Sequence, residues 1–152
     1  MSEIVEATTA EQIEQVRQLF RQYQAELPPQ LRSFDSELSA LPGVYALPAG
    51  KLLLATVSGQ PVGCVGIRPF PRPATCEMKR LYVRPLFRGG KLGQELAQRV
   101  LQEARALGYQ RLRLDTHPPT MQAALRMYRN LGFKEIPSEN TVEGLLYMEL
   151  SL

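Results

Sequence analysis

The chain has 152 residues, 44% of them hydrophobic and 22% charged, with a formal net charge of +3. That length suits one domain with a real core, and those fractions are ordinary for a soluble globular protein. The charge is too mild to argue for nucleic acid, and no apolar run approaches the roughly 20 residues that cross a bilayer.

The start, Met1-Ser-Glu-Ile-Val-Glu, has no basic region followed by an apolar stretch. No signal peptide is expected, and the expected location is the cytoplasm. Ile4, Val5 and Ala7 read as a first strand. Thr8 with Glu11 has the form of a capping box, and Ile13, Val16, Phe20, Tyr23 and Leu27 mark one helical stripe that Pro28-Pro29 ends. Residues 30–50 are mixed: Asp35 can cap a short helix through Leu41, and Pro42-Gly43 and Pro48 break anything longer. This region is expected to be loop-rich and to border the site.

Lys51 to Ser58 is nearly continuous apolar sequence, which predicts a strand covered on both faces. Gly59-Gln60 turns the chain into Val62, Cys64, Val65 and Ile67, making a hairpin. Pro69, Pro71 and Pro73 stiffen the connection to a fourth strand, Thr75 to Val83. Leu92, Leu96, Val100, Ala104 and Leu107 recur at helical spacing before Gly108. Leu112 and Leu114 alternate with Arg111, Arg113 and Asp115 as a fifth strand. A helix with the stripe Met121, Ala124, Leu125, Tyr128 and Leu131 follows and closes at Gly132. Phe133 to Ile136 and Glu143 to Leu150 are the last strands. Strand, helix, strand, helix, strand from Thr75 to Ile136 argues for a layered α/β domain over residues 1–152. Cys64 and Cys76 are expected on neighbouring strands as reduced thiols. No metal is expected, because the single histidine and two cysteines lack ligand spacing.

Glu77 to Gly93 is the stretch that carries chemistry. A strand ends at Val83, and Pro85 stops it. Arg88, Gly89, Gly90, Lys91 and Gly93 then lead into the long helix. The first amides of a helix lack partners inside it and lie at the positive end of its dipole. Glycines let an anion approach that backbone. From Met78 to Gln94 there are five Lys and Arg and no Asp or Glu. Seven of the 18 basic residues fall within the 24 positions from Arg68 to Lys91, a local anion-binding field. The stretch reads as a cradle for a phosphate-bearing cofactor.

These residues carry a resemblance. Leu81-Tyr-Val-Arg-Pro through Arg88-Gly-Gly-Lys-Leu-Gly93 resembles the pyrophosphate-binding motif of the GNAT superfamily of acyl-CoA-dependent N-acyltransferases. Leu125-Arg-Met-Tyr128-Arg-Asn-Leu-Gly132-Phe133 resembles its second signature. The order of elements matches over nearly the whole chain. The chain departs at Lys91, which stands where the motif has its first Gly. It departs again at Met121, where many members carry an Asn that touches the cofactor.

The resemblance implies a central, twisted, mixed and mostly antiparallel sheet of about six to seven strands, with helices on both faces. It implies transfer of an acetyl group from acetyl-CoA to an amine. Leu81, Val83, Arg88, Gly89, Gly90, Lys91, Leu92 and Gly93 would bind the cofactor, the pyrophosphate mainly through backbone N–H groups. Val83 would donate its N–H to the developing oxyanion, worth roughly 3 to 4 kcal/mol. Tyr128 would give a proton to the leaving sulfur, and it also lies on the apolar stripe of its helix. Glu77 stands where some members carry a catalytic Glu, so it is a candidate general base, acting through a water. It can equally be the ion-pair partner of a nearby cation such as Lys79 or Arg80. His117 ends a strand, where ligand sites often lie.

The expected partner is a small-molecule or amino-acid-type amine, with no nucleic acid and no membrane, and a homodimer is left open. Residues 24–48, 69–75 and 137–143 are expected to choose the acceptor. A non-catalytic acyl-CoA-binding module is the alternative. A nucleoside-triphosphate site is disfavoured because no Gly-Lys-Ser or Gly-Lys-Thr occurs.

Overall fold

Alternation and turn residues divide the described residues into seven strands and four helices. The computed structural model describes residues 2–137 and 144–152. The strands are β1 (Ser2–Glu6), β2 (Lys51–Val57), β3 (Gln60–Pro69), β4 (Thr75–Val83), β5 (Arg111–Thr116), β6 (Lys134–Ile136) and β7 (Leu146–Ser151). The helices are α1 (Ala10–Glu26), α2 (Asp35–Ala40), α3 (Leu92–Ala106) and α4 (Gln122–Leu131). One open sheet runs β1-β2-β3-β4-β5-β7-β6. Among the described residues, β4 and β5 alone pair in parallel; the other neighbouring pairs are antiparallel. This is the mixed, mostly antiparallel sheet that the resemblance implies.

Each face of the sheet carries its own core. Leu53, Val65, Ile67, Cys76, Met78, Leu112 and Leu114 pack with Leu96 and Val100 of α3 and with Leu125 and Tyr128 of α4. Leu52, Leu54, Cys64 and Tyr82 pack on the other face with Val16 and Phe20 of α1 and with Phe34 and Tyr45. The apolar run of β2 is explained by this arrangement, since neighbouring leucines serve opposite cores. Both cysteines are buried free thiols on adjacent strands, one in each core.

Two caps differ from expectation. The capping box belongs to Thr9, whose Oγ1 accepts from the Gln12 N–H at 3.1 Å while Gln12 Oε1 accepts from the Thr9 N–H at 3.1 Å. Glutamine closes such a box as well as glutamate does. The fully buried residues of α1 are Val16, Leu19 and Phe20. Asp35 is the first residue of α2 and not its cap; Phe34 holds the cap position, buries its ring and donates its N–H to Gln24 Oε1 at 2.7 Å.

Strand pairing positions the site. β4 and β5 pair only through Thr75–Arg111, Cys76–Leu112 and Glu77–Arg113. Beyond that rung, β5 follows β7 as far as Thr116–Leu146, and β4 follows β3 as far as Gly63–Val83. The β3–β4 register jumps between Gly66–Lys79 and Cys64–Tyr82, which puts an extra residue into β4. Arg80 takes it up at φ 61°. A bulge bends its strand and increases its twist, so β4 leans away from β5 and a wedge opens between them.

Candidate active site

A cavity of about 570 Å³ fills this wedge. Met78 to Val83 form one wall and Leu114 with Asp115 the other. Tyr23 and Glu26 of α1, the turn Phe87–Gly90, Gly93 and Gln94 of α3, Met121 just before α4 and Tyr128 within it also line it.

At one end lies the start of α3. Lys91 is its cap residue and makes no side-chain cap bond. The Glu95 N–H reaches the Lys91 carbonyl at 2.8 Å, so the N–H groups of Leu92, Gly93 and Gln94 precede the first intrahelical bond. Gly89 stands at φ +90°, which side chains adopt only under strain, and a Cβ on Gly89 or Gly90 would meet no atom within 4 Å. The backbone here is open for an anion to approach. Arg88 donates from Nε to the Val83 carbonyl at 2.7 Å and pairs with Glu26 at 2.7 Å. Glu26 also accepts from the Tyr82 hydroxyl. These groups fit a diphosphate: unpaired amides, glycine where close approach is needed, and a carboxylate already matched by a cation.

Of the residues expected to hold the cofactor, Leu81, Val83, Arg88, Gly89, Gly90 and Gly93 line the cavity. Lys91 and Leu92 do not. Leu92 is buried in the core beneath α3 and Lys91 is exposed.

In the middle of the wedge the Arg84 N–H donates to the Val62 carbonyl at 2.8 Å. Strand alternation therefore turns the N–H and C=O of Val83 away from β3 and toward the gap. The β4–β5 ladder has ended by then, and the Val83 carbonyl is taken by Arg88. Tyr128 faces this region from α4, its ring edge-on to Phe133 with centroids 5.8 Å apart. Burial, with Tyr23 and the Asp115 carboxylate adding to it, pushes the Tyr128 hydroxyl far above the ordinary phenol value. The proton stays on this oxygen at neutral pH.

Glu77 does not line the cavity. Cys76 and Met78 bury on the α3 face, so alternation turns Glu77 to the α1 face. There it is 6% exposed and its Oε1 lies 3.4 Å from Arg68 Nε. The ion pair forms with the cross-strand neighbour Arg68, because Lys79 and Arg80 find other partners. Lys79 Nζ lies 2.9 Å from Asp115 Oδ2, across the wedge. Arg80 binds Glu37 through Nε at 2.9 Å and Nη2 at 3.1 Å, with its guanidinium 3.5 Å above the Phe34 ring centroid. Glu37 also accepts from the Tyr45 hydroxyl at 2.9 Å. Burial, the largest single effect, works to raise the Glu37 carboxyl. Arg80, Tyr45 and Lys79 together outweigh it and hold the carboxyl below its ordinary value.

His117 is buried and does not line the cavity; its Nδ1 lies 2.8 Å from Thr120 Oγ1. Met121 does line it, with Sδ 3.5 Å from the His117 N–H. Of the regions expected to choose the acceptor, Glu26 and Leu27 reach the cavity directly, and Glu37 acts through Arg80. Residues 69–75 do not line it, and 138–143 lie outside the described residues. Residues 30–50 likewise contribute no lining. Tyr23, Lys79, Arg80 and Asp115 are the functional candidates that the sequence reading passed over. Their one signal was the alternation that turns Lys79 and Asp115 to the same face.

Two parallel strands that part around a cavity, with an unsatisfied helix start at one end and an exposed strand amide in the middle, define an acyl-CoA-dependent N-acyltransferase. The chain belongs to the GNAT acetyltransferase family, whose model matches residues 13–133. It is 40% identical over 124 residues to an uncharacterized N-acetyltransferase of Schizosaccharomyces pombe, a match covering 80% of this chain and 76% of that one. An uncharacterized N-acetyltransferase of Escherichia coli, YjgM, is 32% identical over 104 residues, covering 67% and 62%. A GNAT-family acetyltransferase from Staphylococcus aureus shares the fold with a TM-score of 0.80 at 18% identity, covering 99% of each chain. A Salmonella typhimurium acetyltransferase solved with its cofactor acetyl-CoA shares it with a TM-score of 0.76 at 21% identity, covering 99% and 93%.

Proposed function

We propose that the protein transfers an acetyl group from acetyl-CoA to the primary amine of a small-molecule or amino-acid-type acceptor, by direct attack within a ternary complex. The observation that carries this reading is the continuity of one cavity from the start of α3 to the space between Val83 and Tyr128. Two relatives add to it through their names. An IAA acetyltransferase of Azospirillum brasilense is 38% identical over 91 residues, covering 59% of this chain and 58% of that one. The N-acetylaspartate synthetase of Danio rerio is 29% identical over 105 residues, covering 68% and 37%.

The amides of Leu92, Gly93 and Gln94, with Gly89, Gly90 and Arg88, hold the diphosphate. Lys91 adds charge from the surface, and Leu81 and Val83 border the rest of the cofactor. When bound, the cosubstrate supplies an activated acetyl thioester. The Val83 N–H donates to the carbonyl oxygen as negative charge develops there, worth about 3 to 4 kcal/mol. An amine with a pKa of about 10 must lose a proton before it can attack at neutral pH. Glu77, one residue behind the opening, receives that proton through a water. Tyr128, protonated at neutral pH before each turnover, delivers its proton to the departing sulfur and takes another from solvent afterwards.

Thiol release from acetyl-CoA over a panel of amines tests the proposal. Saturable, amine-dependent release supports it. Tight acetyl-CoA binding with no release on any amine favours a non-catalytic acyl-CoA-binding module, a reading that the distance of Glu77 from the cavity lining keeps in play.

A further inference from the structure

We infer that the acceptor is a zwitterion of the α-amino carboxylate class, received by Lys79 and Asp115. This rests on the acetyl-transfer reading and narrows its substrate. The two residues stand on opposite walls of the wedge and join at 2.9 Å. Met78 and Leu114, one position earlier on each strand, bury on the α3 face. Lys79 and Asp115 therefore project to the α1 face, away from the glycine turn that starts α3. A cofactor held at α3 and an acceptor entering from the α1 side meet between them.

The charges that line the cavity are already matched in pairs. Arg88 is paired with Glu26. Arg80 is held on both sides by Glu37 and Phe34, and Glu37 in turn by Tyr45, so that pair is closed. Lys79 and Asp115 are joined by a single contact and keep side-chain exposures of 16% and 24%.

An acceptor with only an ammonium would draw Asp115 off and strand a half-buried Lys79. One with only a carboxylate would strand Asp115. Removing one partner of such a pair costs more than the pair itself contributes. A molecule with both charges exchanges into the pair without leaving either unmatched: its ammonium goes to Asp115 and its carboxylate to Lys79. That exchange keeps the amino group in the same cavity that Val83 and Tyr128 line.

The test compares kcat/KM for L-amino acids with that for their decarboxylated amines and their methyl esters. In the wild type, at least one free amino acid outruns its amine and ester by about tenfold or more, the scale of a charge-assisted hydrogen bond. Lys79→Met brings that ratio close to one, and Lys79→Arg retains it. Asp115→Asn lowers kcat/KM for acid and amine together. Equal rates for acid, amine and ester in the wild type overturn the inference, as does a ratio that survives Lys79→Met. Saturation by acetyl-CoA with no turnover of any amino acid also overturns it, and leaves the cofactor reading intact. Absence of acetyl-CoA binding removes the proposed function itself.

Discussion

Glu77 and Arg113 form the last rung of the parallel ladder between β4 and β5. One residue further, β4 and β5 each keep only their other neighbour, so this pair marks where the cavity begins. It is also the centre of a row of alternating charge on adjacent strands: Arg68, Glu77, Arg113, Glu149 and Lys134. Arg113 is 3% exposed, and its cation lies 4.0 Å from the centre of the Phe70 ring.

Glu77→Gln should therefore show two effects. Removing the carboxylate leaves Arg68 without its ion-pair partner and takes away one of the two carboxylates that flank buried Arg113, which costs about 1–3 kcal/mol of stability. The proposed base role adds a loss of about a hundredfold in kcat. Thermal unfolding and initial rates, both read well below the variant's melting point, separate the two. A stability loss with normal kcat in the folded variant would leave Glu77 a structural residue alone.

Tyr128→Phe keeps the ring that packs against Phe133 and removes only the hydroxyl. A thiol of pKa about 8.5 leaves fairly well unaided, so kcat should fall by about ten- to a hundredfold without vanishing, at little cost in acetyl-CoA affinity. Because burial raises the hydroxyl far above the ordinary phenol value, wild-type kcat should show no decline from its ionisation up to about pH 10. A kcat–pH profile of both proteins reads this directly.

Gly66 is the support of the acceptor wall. A Cβ there would come within 2.6 Å of the Tyr45 ring, whose hydroxyl holds Glu37, which holds Arg80. Gly66→Ala should cost about 1–3 kcal/mol by overpacking. It should also raise KM for the acceptor more than KM for acetyl-CoA, because the disturbance runs to Arg80 and not to α3.

Glu37 predicts a pH dependence of stability. Its carboxyl lies below the ordinary value of 4.5 in the folded protein. A depressed acid stabilises the fold above its unfolded pKa, and that contribution is lost as pH falls through the folded value. The melting temperatures of wild type and Glu37→Gln should differ at neutral pH and converge below about pH 4.5. A constant difference down to strongly acidic pH would contradict the Arg80–Glu37 linkage.

Much of this was legible in the sequence because burial leaves a pattern. β2 serves two cores and is apolar throughout, and the stripe through Leu96 and Val100 is the inward face of α3. The glycine turn and the Tyr128–Gly132–Phe133 run were readable for the same kind of reason, since few residues tolerate those backbones. Arg80 was not. An arginine at positive φ carries no mark in sequence, yet it makes the bulge that opens the wedge. Nor could spacing reveal that Lys79 meets Asp115, 36 positions away, or that Glu77 would turn to Arg68. The capping threonine was a choice between two adjacent threonines, each with an acid or amide three residues on, and local rules do not separate them.

The claim that most else rests on is that the diphosphate of acetyl-CoA sits at the start of α3. Gly90→Asp tests it, because a Cβ at Gly90 meets nothing and the new carboxylate would stand where the phosphates are bound. Calorimetric titration of acetyl-CoA should show saturable binding to the wild type. The variant, with its melting temperature unchanged, should bind about tenfold or more weakly, as an uncompensated like charge at a helix start requires. Equal affinities in the two proteins, or no saturation of the wild type, would contradict the account.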